Sequence, residues 1–193
     1  MEITTDSIKE LREMTGVSVM QCKKALQEAG GDVKKAEVIL KKHSAASAEK
    51  KASRSLAAGV LGSYVHDGAI GALVVLSCET DFVAKNPEFA ALARELAMQV
   101  TATDPAYATT DDISAEAKQT ATAVFRKEVA DKPAAMQEKI LEGKLASYFR
   151  DQVLLEQPCI KDEGKTVRDL LNEATQKFGE RVEVSRFTRL SAR

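Results

Sequence analysis

Apolar positions recur at helical spacing through the first 44 residues and are interrupted twice by glycine. Ile8, Leu11 and Met14 share one face of a helix that Asp6 or Thr5 can cap and that Thr15-Gly16 ends. Ser18 can cap a second helix, with Gln21 as its capping-box partner and Val19, Cys22, Leu26 and Ala29 on one face. Gly30-Gly31 stops it, and Asp32 caps a third helix carrying Val33, Ala36, Ile39 and Leu40. Lys and Glu fill the opposite faces, so the three apolar stripes must be buried against one another. The pattern predicts a compact bundle of about 40–45 residues, near the lower size limit for an independent core.

Residues 44–58 (SAASAEKKASRSLAA) keep good helix propensity but lose the apolar period. They read as an exposed helical linker, which divides the chain into residues 1–55, the bundle with the start of the linker, and residues 56–193. Beyond it the period changes. GVLGSYVH and AIGALVVLSC are β-rich runs flanking Asp67-Gly68, and Asp-Gly between such runs predicts a hairpin. The unbroken run Leu73-Val74-Val75-Leu76 predicts a central strand buried on both faces, with Leu73, Val75 and Ser77 on one side and Val74, Leu76 and Cys78 on the other.

Helical spacing returns after residue 87. Phe89, Leu92, Leu96 and Val100 mark a helix over 88–101, followed by a polar loop over 104–113. Ser114 caps a helix with Ala121, Val124, Phe125 and Val129, which Lys132-Pro133 breaks. Another helix over 134–153 carries Ile140, Leu141, Leu145, Tyr148 and Phe149; Gly143 weakens its middle by roughly 1 kcal/mol relative to Ala. LEQPCIKD reads as a loop or extended piece. Thr166 caps a helix with Val167, Leu170, Leu171 and Ala174 that ends at Gly179, and RVEVSRFTRL alternates as an antiparallel strand does. The fold class is therefore α+β: a three-helix bundle, a helical linker, then an antiparallel sheet packed with helices.

Composition and charge narrow the chemistry. With no Trp and 5% aromatics, the core rests on Ala, Leu, Val and Ile. The net charge of -1 gives no overall attraction to nucleic acid. Seven basic and two acidic residues lie between Lys34 and Arg54, but no aromatic is interleaved, so the stretch reads as a solvated helix face rather than an RNA-stacking surface. Cys22, Cys78 and Cys159 have no metal-ligand spacing and read as reduced thiols of a cytoplasmic protein. MEITTDSIKE lacks the apolar stretch of a signal peptide, and no apolar run reaches the length of about 18 residues that spans a membrane. There is no Walker loop and no GxGxxG. Cys78 with His66 and Asp81 is the nearest approach to a catalytic set, but a strand cysteine amid LVVLSC reads as a small buried hydrophobe. The expectation is a non-enzyme without metal or cofactor.

Thr80-Asp81-Phe82-Val83 lies where a buried strand ends and a helix begins. One reading is a connection capped by Thr80 or Asp81, with Phe82 folded back onto the core. The other has Phe82 pointing outward as an apolar anchor, with Asp81 beside it as a charged lever.

CETDFVAK resembles the signature of bacterial elongation factor Ts, and the likeness extends over nearly the whole chain in the family's order. Residues 9–36 resemble its N-terminal ubiquitin-associated-like bundle, residues 62–89 the first hairpin of its core, and residues 138–162 with the final TVRDLL and RFTR sections its last helices and strand. The resemblance implies a guanine-nucleotide exchange factor that binds elongation factor Tu with GDP and promotes replacement of GDP by GTP. Thr80, Asp81, Phe82 and Val83 match the positions implicated in displacing the partner's magnesium ion, with Phe82 as a wedge between helices of the GTPase. Arg12, Val19, Met20 and Lys23 match positions where the N-terminal module touches that GTPase, although bundle packing alone also accounts for Met20. Val19-Met20-Gln21 stands where family members commonly have Met-Met-Asp, which keeps the apolar contact and leaves Gln21 as a departure. The length fits the short members, which act as homodimers. RVEVSRFTRLSAR offers no cysteine, so the implied dimer is non-covalent, pairing through the last strand. A helical adaptor for ubiquitin-like partners and an RNA-binding translation protein using residues 34–54 are the competing classes; the first leaves residues 59–193 unexplained.

Overall fold

The structure is a computed structural model that describes residues 3–131 and 133–192. It begins with α1 (Thr5–Thr15), α2 (Val19–Glu28) and α3 (Val33–Lys51). Thr4, not Thr5 or Asp6, caps α1, because Thr4 and Ser7 exchange side-chain and backbone bonds in a complete capping box. Gly16, at φ 68°, closes the helix by donating its amide to the Arg12 carbonyl. The Ser18 hydroxyl accepts the Gln21 amide as expected, but the Gln21 side chain bonds the hydroxyl itself, so only half of that box forms. Asp32 caps α3 through the Lys35 amide.

Leu11, Val17, Cys22, Ala25, Leu26, Ala36 and Leu40 form the bundle core. Val19, expected on the inner face, is 48% exposed. Val17 takes the inner place: it precedes the cap and packs with Cys22, four positions into the helix, as a hydrophobic staple does. The expected linker is also different. α3 runs unbroken through it to Lys51 and packs along α8 (Val167–Phe178), burying Ser44. Only residues 52–57 separate α3 from the strand that begins at Ala58.

β1 (Ala58–His66) and β2 (Ile70–Cys78) pair antiparallel from Ala58↔Cys78 to His66↔Ile70. Asp67 and Gly68 both take positive φ, 48° and 66°, and the Ala69 amide donates to the His66 carbonyl at 3.0 Å. β5 (Glu183–Ser191) pairs antiparallel on the other side, so β2 is central in the order β1-β2-β5. After the single turn α4 (Asp81–Ala84), α5 (Pro87–Thr103) crosses one face of the sheet. Phe89, Ala93, Leu96, Ala97 and Val100 of α5 pack with Ala72, Val74, Leu76 and Cys78 of β2. Gly62 permits the approach, since a Cβ there would stand 2.2 Å from the Ala93 carbonyl oxygen.

The expectation that β2 is buried on both faces holds fully for one; on the other, Ser77 is buried and Val75 half-buried. Val74, Leu76 and Cys78 are enclosed, whereas Leu73 is 42% exposed because the opposite face of the sheet meets solvent in the single chain. Leu61, Val65 and Leu190 are exposed with it. An apolar run marks both faces as apolar without naming what covers the second.

α6 (Ala115–Glu128) and α7 (Ala134–Gln152) pack as a helical hairpin, tied by Lys144 to Glu128 at 2.7 Å. Lys132 of the expected Lys132-Pro133 break lies outside the described residues. The segment read as a loop or extended piece is extended, in a short hairpin of β3 (Pro158–Cys159) and β4 (Asp162–Thr166). Buried Gln99 pins it, accepting the Ile160 amide at 2.8 Å and donating to the Pro158 carbonyl at 3.1 Å. Thr166 caps α8 with Asp169 in a full box, and Gly179, at φ 76°, ends it. The architecture is α+β.

Candidate partner-binding site

β2 delivers its last residues to the tip of the sheet with defined directions. Cys78 is buried, and its thiol donates to the Thr80 carbonyl at 3.2 Å. Burial, with Glu180 nearby, pushes that thiol above its ordinary pKa. His66 sits at the other end of β1, paired with Ile70, while Cys78 pairs with Ala58. Eight residues of strand, roughly 26 Å, separate the two, so Cys78, His66 and Asp81 do not form a catalytic set. Burial likewise pushes Cys159 up to about 11. Among the described residues no group of three or more His, Cys, Asp or Glu side chains is arranged to hold a metal ion. No helix among them is long and apolar enough to cross a membrane.

Thr80 occupies the N-cap position of α4 in extended backbone, φ −128° and ψ 156°, but makes no capping bond. Its hydroxyl donates to Glu180 Oε1 at 2.5 Å instead. Asp81 is the first helical residue rather than the cap, and its carboxylate accepts from Lys85 Nζ at 2.6 Å. That hydrogen bond and the Lys85 charge hold the Asp81 carboxyl below its usual range. Both side chains are solvated, so the pair braces the outer face of α4 rather than supporting the fold.

Phe82 and Val83 part company at this turn. Phe82 is 82% exposed, and Val83 is 4% exposed within the core that holds Cys78 and Phe89. The reading in which Phe82 folds back onto the core is therefore corrected: Val83 supplies the inward contact, and the aromatic ring stands in solvent. Arg12, Val19, Met20 and Lys23 lie on α1 and α2, around the other core, and all four are exposed. Met20 is 74% exposed, so packing within the bundle does not account for it.

Sequence reasoning missed the groups that hold the tip. Glu180 accepts the amides of Glu79 and Thr80, each at 3.0 Å. Glu79 in turn accepts the Arg181 amide at 2.6 Å and the Arg54 guanidinium at 3.1 Å. The Arg181 amide, more than Arg54, holds the Glu79 carboxyl below its usual range, against a smaller opposing effect of burial. Gly179 as a helix stop places Glu180 at the start of the next segment, but no local spacing joins residues 80 and 180.

The family model described as Elongation factor TS matches residues 45–193 of the chain. The chain is 51% identical over 190 residues to elongation factor Ts of Thermotoga petrophila, covering 98% of this chain and 96% of that protein. It is 45% identical over 190 residues to elongation factor Ts of Thermodesulfovibrio yellowstonii, with the same coverage. With elongation factor Ts of Coprothermobacter proteolyticus the identity is 42% over 192 residues, covering 98% of each chain.

Proposed function

The chain belongs to the elongation factor Ts family, and from that premise we propose that it is a guanine-nucleotide exchange factor of translation elongation that acts on elongation factor Tu. It binds the GDP form of that GTPase and favours the nucleotide-poor conformation, so GDP leaves and GTP can replace it. The observation that carries this reading is the solvent-facing ring of Phe82 beside a core-anchored Val83. An aromatic side chain on a firmly held turn needs no rearrangement of its own to enter a partner.

In this reading Phe82 wedges between helices of the GTPase domain, Asp81 bears on the contact, and the shift dislodges the partner's magnesium ion. Loss of the metal matters because it neutralises and clamps the β-phosphate oxygens of the bound nucleotide. The factor itself makes and breaks no bond and holds no cofactor. Linkage sets the requirement: a factor that lowers GDP affinity by some ratio has its own affinity lowered by GDP in the same ratio. Only preferential binding to one conformation of the GTPase does this. Thr80 and Val83 hold the turn, and Arg12, Val19, Met20 and Lys23 form a second, N-terminal contact with the GTPase. Residues 1–55 act as a ubiquitin-associated-like docking module and residues 56–193 as the exchange and dimerisation core, in the cytoplasm.

The protein works as a non-covalent homodimer. The open sheet face with Leu61, Val65, Leu73 and Leu190 supports this, because a second copy stacked there covers the apolar residues that one chain leaves in water. The test of the exchange reading is release of a fluorescent GDP analogue from elongation factor Tu with and without the protein. Acceleration supports it, and an unchanged release rate rejects it.

A further inference from the structure

Thr80 and Glu180 are 100 residues apart in sequence, yet the segments around them exchange hydrogen bonds in both directions. Glu180 Oε2 accepts the amides of Glu79 and Thr80, and its Oε1 accepts the Thr80 hydroxyl. Glu79 returns the contact by accepting the Arg181 amide.

The position of these amides explains why the contact matters. The ladder between β1 and β2 ends at Ala58↔Cys78, and that between β2 and β5 at Ser77↔Glu183. Glu79 and Thr80 are thus the first two residues past the last strand pairing, and Glu180 supplies the acceptors that the sheet no longer does. Bonds to a carboxylate are stronger than those between neutral groups. The turn that follows depends on them. α4 has four residues and no side-chain cap, and a helix that short does not hold itself. Its ends are fixed from outside, by Glu180 at Thr80 and by the buried Val83, and Phe82 stands between the two. Glu180 is itself placed by the left-handed Gly179 before it and by Arg181 after it, whose guanidinium donates to the Arg54 carbonyl at 2.6 Å.

We propose that Glu180 is a positioning residue for nucleotide exchange, which sets the direction in which Phe82 is presented to the GTPase. This rests on the exchange reading above. Glu180 touches neither GTPase nor nucleotide in this account and acts through Thr80 and the α4 turn.

The test combines two measurements on the full chain. Glu180→Ala speeds amide hydrogen exchange at Glu79 and Thr80 by about tenfold or more, since the charge-assisted bonds that protect them are gone. The same variant lowers acceleration of GDP release by about tenfold, the factor that corresponds to about 1.4 kcal/mol of lost contact with the GTPase. Glu180→Gln, whose carbonyl oxygen still accepts both amides and whose amide group can donate to the Thr80 hydroxyl, retains most of the acceleration. In a Phe82→Ala background Glu180→Ala adds less than about a twofold further loss, because its effect passes through the ring. The proposal is overturned by unchanged amide exchange at residues 79 and 80. It is equally overturned by a loss of acceleration of the same factor with and without Phe82, which marks a general structural effect. Should Glu180→Ala fail to fold, Thr80→Val removes the single hydroxyl donor and decides by the same comparison. A wild-type protein that leaves GDP release unchanged rejects the exchange reading itself, whereas an active wild type with a fully active Glu180→Ala rejects this proposal alone.

Discussion

Val83→Ala and Phe82→Ala, at neighbouring positions, have very unequal consequences for stability. Val83 is 4% exposed in the main core, so truncating it removes two methyl groups from a packed site. The lost transfer free energy, with the cavity left behind, comes to about 2–3 kcal/mol. In a chain of this size each kcal/mol moves the midpoint of thermal unfolding by about 2–4 °C, so Val83→Ala lowers it by roughly 4–12 °C. Phe82 is 82% exposed, and its truncation changes stability by no more than about 0.5 kcal/mol. Thermal unfolding followed by circular dichroism, with urea titrations as a second probe, measures both. Equal destabilisation by the two substitutions would place the Phe82 ring in the core and contradict its exposure.

Three other outcomes follow from the geometry. Gly62→Ala puts a Cβ 2.2 Å from the Ala93 carbonyl oxygen, so α5 must move off the sheet. The cost is about 1–3 kcal/mol in a urea titration, and an unchanged midpoint contradicts the close approach. Glu79 has its folded-state pKa depressed below the usual 4.5, so its ionised form adds stability above that value and loses it as pH falls through the folded-state pKa. The advantage of wild type over Glu79→Gln in unfolding free energy is accordingly full near neutral pH and shrinks below 4.5; an advantage independent of pH removes the ion from the account. Leu73→Asp sets a charge on the open sheet face and converts the proposed dimer to a folded monomer in sedimentation at micromolar concentration. A wild-type monomer under those conditions rules out the dimer.

What the sequence disclosed was local. Ser18, Asp32, Ser114 and Thr166 all act as helix caps, and Asp67-Gly68 turns the hairpin, because each needs only neighbours within three residues. Propensity marked residues 44–51 as helical, but the packing of α3 along α8 depends on a helix that begins at Val167. The Thr80 side chain followed the same logic in reverse. A local rule offered it, or Asp81, as the cap of α4, and a distant carboxylate took its hydroxyl instead. Phe82 lay beyond any periodicity argument, since a four-residue turn is too short to define an inner and an outer face. The open side of β2 shows the same limit one level higher. The run from Leu73 to Leu76 reports that both faces are apolar, but nothing local in it names what covers the second face.

In the proposed exchange reaction the ring of Phe82 drives nucleotide release from the GTPase. Release of fluorescent GDP from elongation factor Tu, recorded with wild-type protein and with Phe82→Ala in parallel, tests it most directly. The expected result is marked acceleration by wild type and a loss of about 30-fold or more in the variant, the factor that corresponds to a buried aromatic hot spot of about 2 kcal/mol. A folded Phe82→Ala protein that accelerates release as fast as wild type contradicts it.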